Sequence, residues 1–172
     1  SDSRVYYDSI LGGQSNYVDG ISQQIDHKIK LTSLTPNTKY YYQIADSVQY
    51  LTTVKENYRF KTAPPPGSEQ SMRVWVIGDF GKGNTQQGQV RDAYMNFTDT
   101  IHTDVWLWLG DNAYQSGTDQ EYQDNVFDSS KAYGTIMPFM PFMPCPGNHD
   151  YMSVSPPNPV SSIDPNNHSG PY

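Results

Sequence analysis

Two nearly unbroken apolar runs set the tightest limit on how this chain can fold. Arg73-Val74-Trp75-Val76-Ile77 ends at Gly78-Asp79, and Val105-Trp106-Leu107-Trp108-Leu109 ends at Gly110-Asp111. Continuous apolar runs suit strands buried on both faces. Between them Val90, Ala93, Phe97 and Ile101 recur at helical spacing, which predicts a helix with that face turned inward. A strand–helix–strand unit of this length implies parallel strands joined by a right-handed crossover. Thr118-x-x-Glu121 reads as a capping box that opens a second helix, with Tyr122 and Val126 on its face. A third strand near Phe142–Cys145 leads into Pro146-Gly147-Asn148-His149-Asp150.

Upstream the pattern changes. Ala63-Pro64-Pro65-Pro66-Gly67 cannot enter a sheet interior, so residues 64–70 read as a stiff linker. Before it, short strands are expected at Arg4–Tyr7, Lys28–Leu31, Lys39–Ala45 and Tyr58–Thr62, with Tyr40, Tyr42 and Ile44 on one face. The run Leu34-x-Pro36-x-Thr38-x-Tyr40 resembles the E–F corner of fibronectin type III domains, where a tyrosine hydroxyl ties the corner to upstream backbone. Residues 1–63 fall short of the roughly 100 of such a sandwich, so its first strands are expected to lie outside this sequence. The tail from Ser153 to Tyr172 reads as loop.

Composition narrows the classes further. A net charge of −7 gives no electrostatic reason to bind nucleic acid or an anionic membrane. No apolar stretch approaches the ~18–20 residues a membrane helix needs. The single cysteine, Cys145, excludes an internal disulfide framework and reads as a small buried residue.

Three expected strands thus each end in a glycine followed by a residue that can ligate a metal: Asp79, Asp111 and Asn148. Open α/β sheets bind ligands outside the carboxyl ends of their strands, so neighbouring strands would bring these side chains together. Taken singly, each motif also fits a helix cap or a turn. Together and in order, Gly-Asp-x-Gly, Gly-Asp-x-x-Tyr and Gly-Asn-His-Asp resemble the first three motif blocks of the calcineurin-like metallophosphoesterases. The tyrosine of the second block resembles the purple acid phosphatases. The implied fold class is multi-domain β plus α/β. A partial fibronectin III-like β-sandwich (1–63) would precede the first half of an α/β metallophosphoesterase sandwich (71–172).

The resemblance implies a dinuclear centre. Asp79 and Tyr114 would ligate one ion, Asp111 would bridge both, and Asn148 would ligate the second. A tyrosinate, with a phenol pKa of ~10 in water, favours a trivalent ion at the Asp79–Tyr114 site, hence Fe(III). The neutral Asn148 suits a divalent partner, in this family zinc, manganese or Fe(II). His149 would contact the substrate and protonate its leaving oxygen. Asp150 would orient His149, the alternative being a plain loop carboxylate. Lys82, Asn84 and His168 are further residues that could approach phosphate.

The family pattern continues with Val-x-x-His and Gly-His-x-His blocks, and neither occurs among these 172 residues. Three further histidine ligands are therefore expected beyond residue 172. The implied activity is hydrolysis of phosphate monoesters, of acid phosphatase type. A phosphodiesterase or nucleotidase on the same scaffold, and a secreted non-catalytic binding module, are the alternatives. The resemblance also implies a phosphate ester as partner and a secreted or extracytoplasmic location.

Overall fold

The computed structural model describes residues 2–21, 27–99 and 101–152. The chain divides into two units, Ser1–Ser71 and Met72–Tyr172.

The first unit is a four-stranded antiparallel sheet of order β2-β1-β3-β4. Its strands are β1 (Arg4–Asp8), β2 (Asn16–Asp19), β3 (Lys39–Ala45) and β4 (Arg59–Lys61). Period-two alternation puts Tyr7, Tyr40, Tyr42 and Phe60 on one face, where Tyr40 stacks on Phe60 at 5.6 Å between ring centres. The Thr35 N–H donates to the Tyr40 hydroxyl at 3.0 Å, so the tyrosine does tie down the corner that precedes its own strand. The strand expected at Lys28–Leu31 does not form. That segment runs irregularly, with Ile29 lying against Gly20, and β2 occupies the sheet edge instead. Residues 64–70 run without regular structure except for a turn in which the Ser68 N–H bonds the Pro65 carbonyl.

The second unit carries a three-stranded parallel sheet, order β5-β6-β7, from Val74–Ile77, Val105–Leu109 and Phe142–Cys145. Helix α1 (Thr85–Thr98) joins β5 to β6. The short α2 (Asp119–Tyr122) follows β6 and continues into a π turn over Gln123–Phe127. The expected capping box is present: Thr118 Oγ1 accepts from Glu121 N–H, and the Glu121 carboxylate accepts from Thr118 N–H.

The core lies on one face of this sheet. Trp75, Phe80, Trp106, Trp108, Tyr122, Val126 and Tyr133 form one buried cluster, with Trp75 stacked between Tyr94 and Trp106. The opposite face is exposed at Val74, Val76, Leu109 and Met143, and Cys145 is exposed as well. The strands are therefore covered on one face rather than two among the described residues, because the tryptophans all fall at alternate positions on the helical side. Helix α1 also turns differently from its apolar pattern. Val90, Phe97 and Ile101 are exposed, whereas Gln87 and Thr98 are buried and Tyr94 packs on Trp75. Hydrogen bonds decide this orientation. Gln87 receives the Gly83 N–H and donates to the Asn125 carbonyl, and Arg91 donates to the Ala132 carbonyl. The tail expected as loop from Ser153 lies outside the described residues.

Candidate metal centre

All three motifs emerge where parallel strands end. Asp79 follows β5 by two residues, Asp111 follows β6 by two, and Asn148 lies three beyond β7. Both aspartates adopt left-handed backbone, with φ of 57° at Asp79 and 53° at Asp111. Such values are uncommon outside glycine and tolerated best by Asn and Asp. They turn the chain sharply off the strand end. The two turns pack backbone to backbone: Asp79 N–H bonds the Gly110 carbonyl, and Tyr114 N–H bonds the Gly81 carbonyl. A Cβ on Gly81 would overlap the Asn112 carbonyl, which explains the glycine in the first motif.

The outcome is a cluster of three oxygens. Tyr114 Oη lies 2.9 Å from Asp79 Oδ1 and 3.1 Å from Asp111 Oδ2. One phenolic hydrogen cannot serve both carboxylates at once. Burial first, and then the bonds to Asp79 and Asp111, push the Tyr114 phenol well above its ordinary value. The spacing suits a small hard cation, because cis oxygens of an octahedral ion with bonds of ~2.0–2.1 Å stand about 2.9 Å apart. The donor set, two carboxylates and a phenol, has the hard-oxygen character such an ion selects. No group of three or more His, Cys, Asp or Glu side chains gathers at this site or elsewhere among the described residues; the third oxygen here is a phenol.

His149 joins this cluster through two bonds. Its backbone N–H donates to Asp111 Oδ1 at 3.1 Å, and its Nδ1 lies 2.7 Å from the Gln115 carbonyl. A carbonyl only accepts, so Nδ1 carries the hydrogen and Nε2 is left for other chemistry. The ring sits 4.6 Å from the Tyr114 ring. Asn148 is exposed, and its side chain caps no helix.

The expected pairing of Asp150 with His149 is absent. Asp150 is fully buried, and its carboxylate accepts from Asn112, Ala113, Gly147 and Tyr122 instead. The Gln115 carbonyl takes the place sequence reasoning gave to Asp150, and a backbone group leaves no sequence signal. Asn112 and Tyr122 were missed as supports, although the placement of Tyr122 on the α2 face was a usable hint. Asn84 serves as the N-cap of α1, accepting from Gln87 N–H. Lys82 extends over the Tyr114 ring, with Nζ 5.0 Å from its centre. His168 lies outside the described residues. A cavity of about 540 Å³ in the first unit, lined by Arg4, Tyr6, Asp19 and Tyr50 among others, contains none of the motif residues.

The family model of calcineurin-like phosphoesterases matches residues 72–171. The chain belongs to that family. Among curated proteins this phosphoesterase chain is similar to Probable inactive purple acid phosphatase 27 of Arabidopsis thaliana. They are 26% identical over 152 residues, which cover 83% of the chain and 24% of that protein. It is also similar to Acid phosphatase type 7 of Mus musculus, 30% identical over 129 residues, covering 72% of the chain and 26% of that protein. The chain therefore spans about a quarter of the length of these relatives. Among solved structures, the purple acid phosphatase PPD1 from yellow lupin seeds shares its fold, with a TM-score of 0.60 at 20% identity. That match covers 98% of the chain and 34% of the lupin protein. The antiparallel sheet followed by a parallel β-α-β segment is thus the fold of a purple-acid-phosphatase-like phosphoesterase.

Proposed function

We propose that this chain is the front portion of a metal-dependent phosphomonoester hydrolase of acid phosphatase type. The observation that carries the reading is the convergence of Asp79 and Asp111 on the phenol of Tyr114. In this reading residues 1–63 are a partial fibronectin III-like module, 64–70 a linker and 71–172 the first part of the catalytic domain. The tyrosine corner at Tyr40 supports the first assignment.

Asp79, Asp111 and Tyr114 would hold Fe(III), while Asp111 and Asn148 would hold zinc, manganese or Fe(II). Histidines encoded downstream would complete both sites. When bound, the ions supply positive charge to the phosphate oxygens. The chain's own residues supply the rest. Asp111 keeps one oxygen toward Tyr114 and the other on the His149 N–H, so the carboxylate is fixed in plane. The Gln115 carbonyl fixes the His149 ring by its Nδ1 hydrogen. In the protonated ring Nε2 would carry the proton for the leaving oxygen, and general acid is the role proposed for His149. Asp150 leaves the catalytic set and becomes a support.

A phosphate ester is the partner this chemistry implies. No described helix is long and apolar enough to cross a membrane. Secretion is part of the proposal through the family likeness alone. A second reading, a non-catalytic member, is favoured by one observation: a relative that aligns over most of the chain bears the name "Probable inactive".

Two tests bear on these readings. Iron(III) added to this chain is expected to give a visible tyrosinate-to-iron absorption band that Tyr114→Phe abolishes; a band surviving in the variant sinks the ligand assignment. The encoding gene is expected to continue into Val-x-x-His and Gly-His-x-His blocks, with a product that prefers p-nitrophenyl phosphate to its bis-ester. A gene without those histidines favours the non-catalytic reading.

A further inference from the structure

We propose that Asp150 is the positioning residue of this centre, a buried post that sets the second and third motif turns at a fixed separation. The inference deepens the metal-centre reading and rests on it for the identity of the ligands. Asp150 Oδ1 accepts from Asn112 N–H at 2.9 Å, from Ala113 N–H at 3.2 Å and from the Tyr122 hydroxyl at 2.7 Å. Oδ2 accepts from Gly147 N–H at 2.6 Å and from Asn112 Nδ2 at 3.1 Å, with Asn112 N–H shared at 3.2 Å.

The placement of these donors gives the bonds their meaning. Asn112 and Ala113 are the two residues between Asp111 and Tyr114, and Gly147 immediately precedes Asn148. One carboxylate therefore grips the backbone beside three of the four proposed ligands. Asn112 extends the link by donating to the Cys145 carbonyl at the end of β7. Gly117 closes over the same residue, since a Cβ there would overlap the Asp150 backbone.

The partners are amides and a phenol, with no lysine or arginine among them. A buried carboxylate without a counter-ion persists only when several donors face it, and here the donors belong to the segments being positioned. The fixed geometry of the carboxylate is thereby passed to Asp111, Tyr114 and Asn148. Groups that act on ligands through hydrogen bonds in this way tune metal affinity without touching the ion.

The test uses Asp150→Asn, which turns an amide NH2 toward the donors at unchanged size, and Tyr122→Phe, which removes one donor and no motif residue. In metal-free protein, the amides of Asn112, Ala113 and Gly147 are expected to exchange hydrogen at least about tenfold faster in Asp150→Asn. Amides within β5 and β6 should keep their rates. In iron(III) titrations the affinity is expected to fall about 10- to 100-fold in Asp150→Asn and by less in Tyr122→Phe. Val126→Ala, which weakens the core alone, should leave the affinity unchanged. Unchanged rates at the three amides, or rates rising evenly through the sheet, would overturn the proposal. If Asp150→Asn does not fold, Tyr122→Phe decides at the same amides. If the unaltered chain takes up no iron(III), the ligand reading fails, while amide exchange still decides the role of Asp150.

Discussion

Single atoms control the separation of the motif turns. At Gly147 an added Cβ would overlap the backbone nitrogen and Oδ1 of Asp111. Overpacking of this kind costs about 1–3 kcal/mol. Gly147→Ala is therefore expected to lower the thermal midpoint and also to weaken iron(III) uptake, both readable on one sample. A variant as stable as the parent would mean that the β6 and β7 turns can part without harm. The residue types at the site were legible in the sequence, and Asp79, Asp111 and Tyr114 do meet. What was not legible is which atoms hold them. The left-handed backbone at both aspartates and the Gln115 carbonyl on His149 depend on packing between turns more than thirty residues apart. Asp150 shows the same limit: its position beside His149 in sequence suggested a pair that the fold does not make.

Among the elements, α1 carries the clearest lesson. Its existence followed from spacing, but its ends and its buried side did not: it runs Thr85–Thr98, and Ile101 of the apolar pattern lies beyond it. Gln87 is buried by partners at Gly83 and Asn125, whereas Phe97 stays 78% exposed. Hydrophobic periodicity cannot anticipate a polar side chain that wins its burial by bonding distant backbone. Gln87→Leu is accordingly expected to cost about 1–3 kcal/mol, since it strands the Gly83 N–H and the Asn125 carbonyl. Phe97→Ser should stay within about 0.5 kcal/mol. Chemical denaturation of the two variants checks the order, and a larger loss for Phe97→Ser would contradict the described orientation. The α2 capping box was legible because its partners are local in sequence. Burial raises the Glu121 carboxyl, and bonds from the Thr118, Ser116 and Gln115 N–H groups outweigh it, leaving the group below its ordinary value. A carboxyl held low when folded binds fewer protons than in the unfolded chain. Its contribution is thus complete above about pH 4.3 and is lost as pH falls through the lower folded value. The thermal midpoint of Glu121→Gln should trail the parent above that pH and converge with it in stronger acid.

For the molecule as a whole, four proposed oxygen ligands, with no histidine ligand among the described residues, make half a cage. This chain is expected to bind one equivalent of iron(III) rather than two and to turn over p-nitrophenyl phosphate negligibly. Metal analysis after gel filtration and a colorimetric assay check both, and two tightly held ions with robust turnover would show that the ligand set is wrong. The order of the β and α/β segments was legible because proline and apolar runs are strong signals. That only one sheet face is covered among the described residues was not, because an apolar run reads alike whether its second face is covered or open. The tryptophan cluster has a practical consequence. All three tryptophans, Trp75, Trp106 and Trp108, pack together in the second unit, while the first unit carries tyrosines and Phe60 but no tryptophan. Emission excited at the red edge of the indole band thus watches one half of the chain and is blind to the other. Melting of the tryptophan-bearing half can therefore be followed by itself within the whole chain.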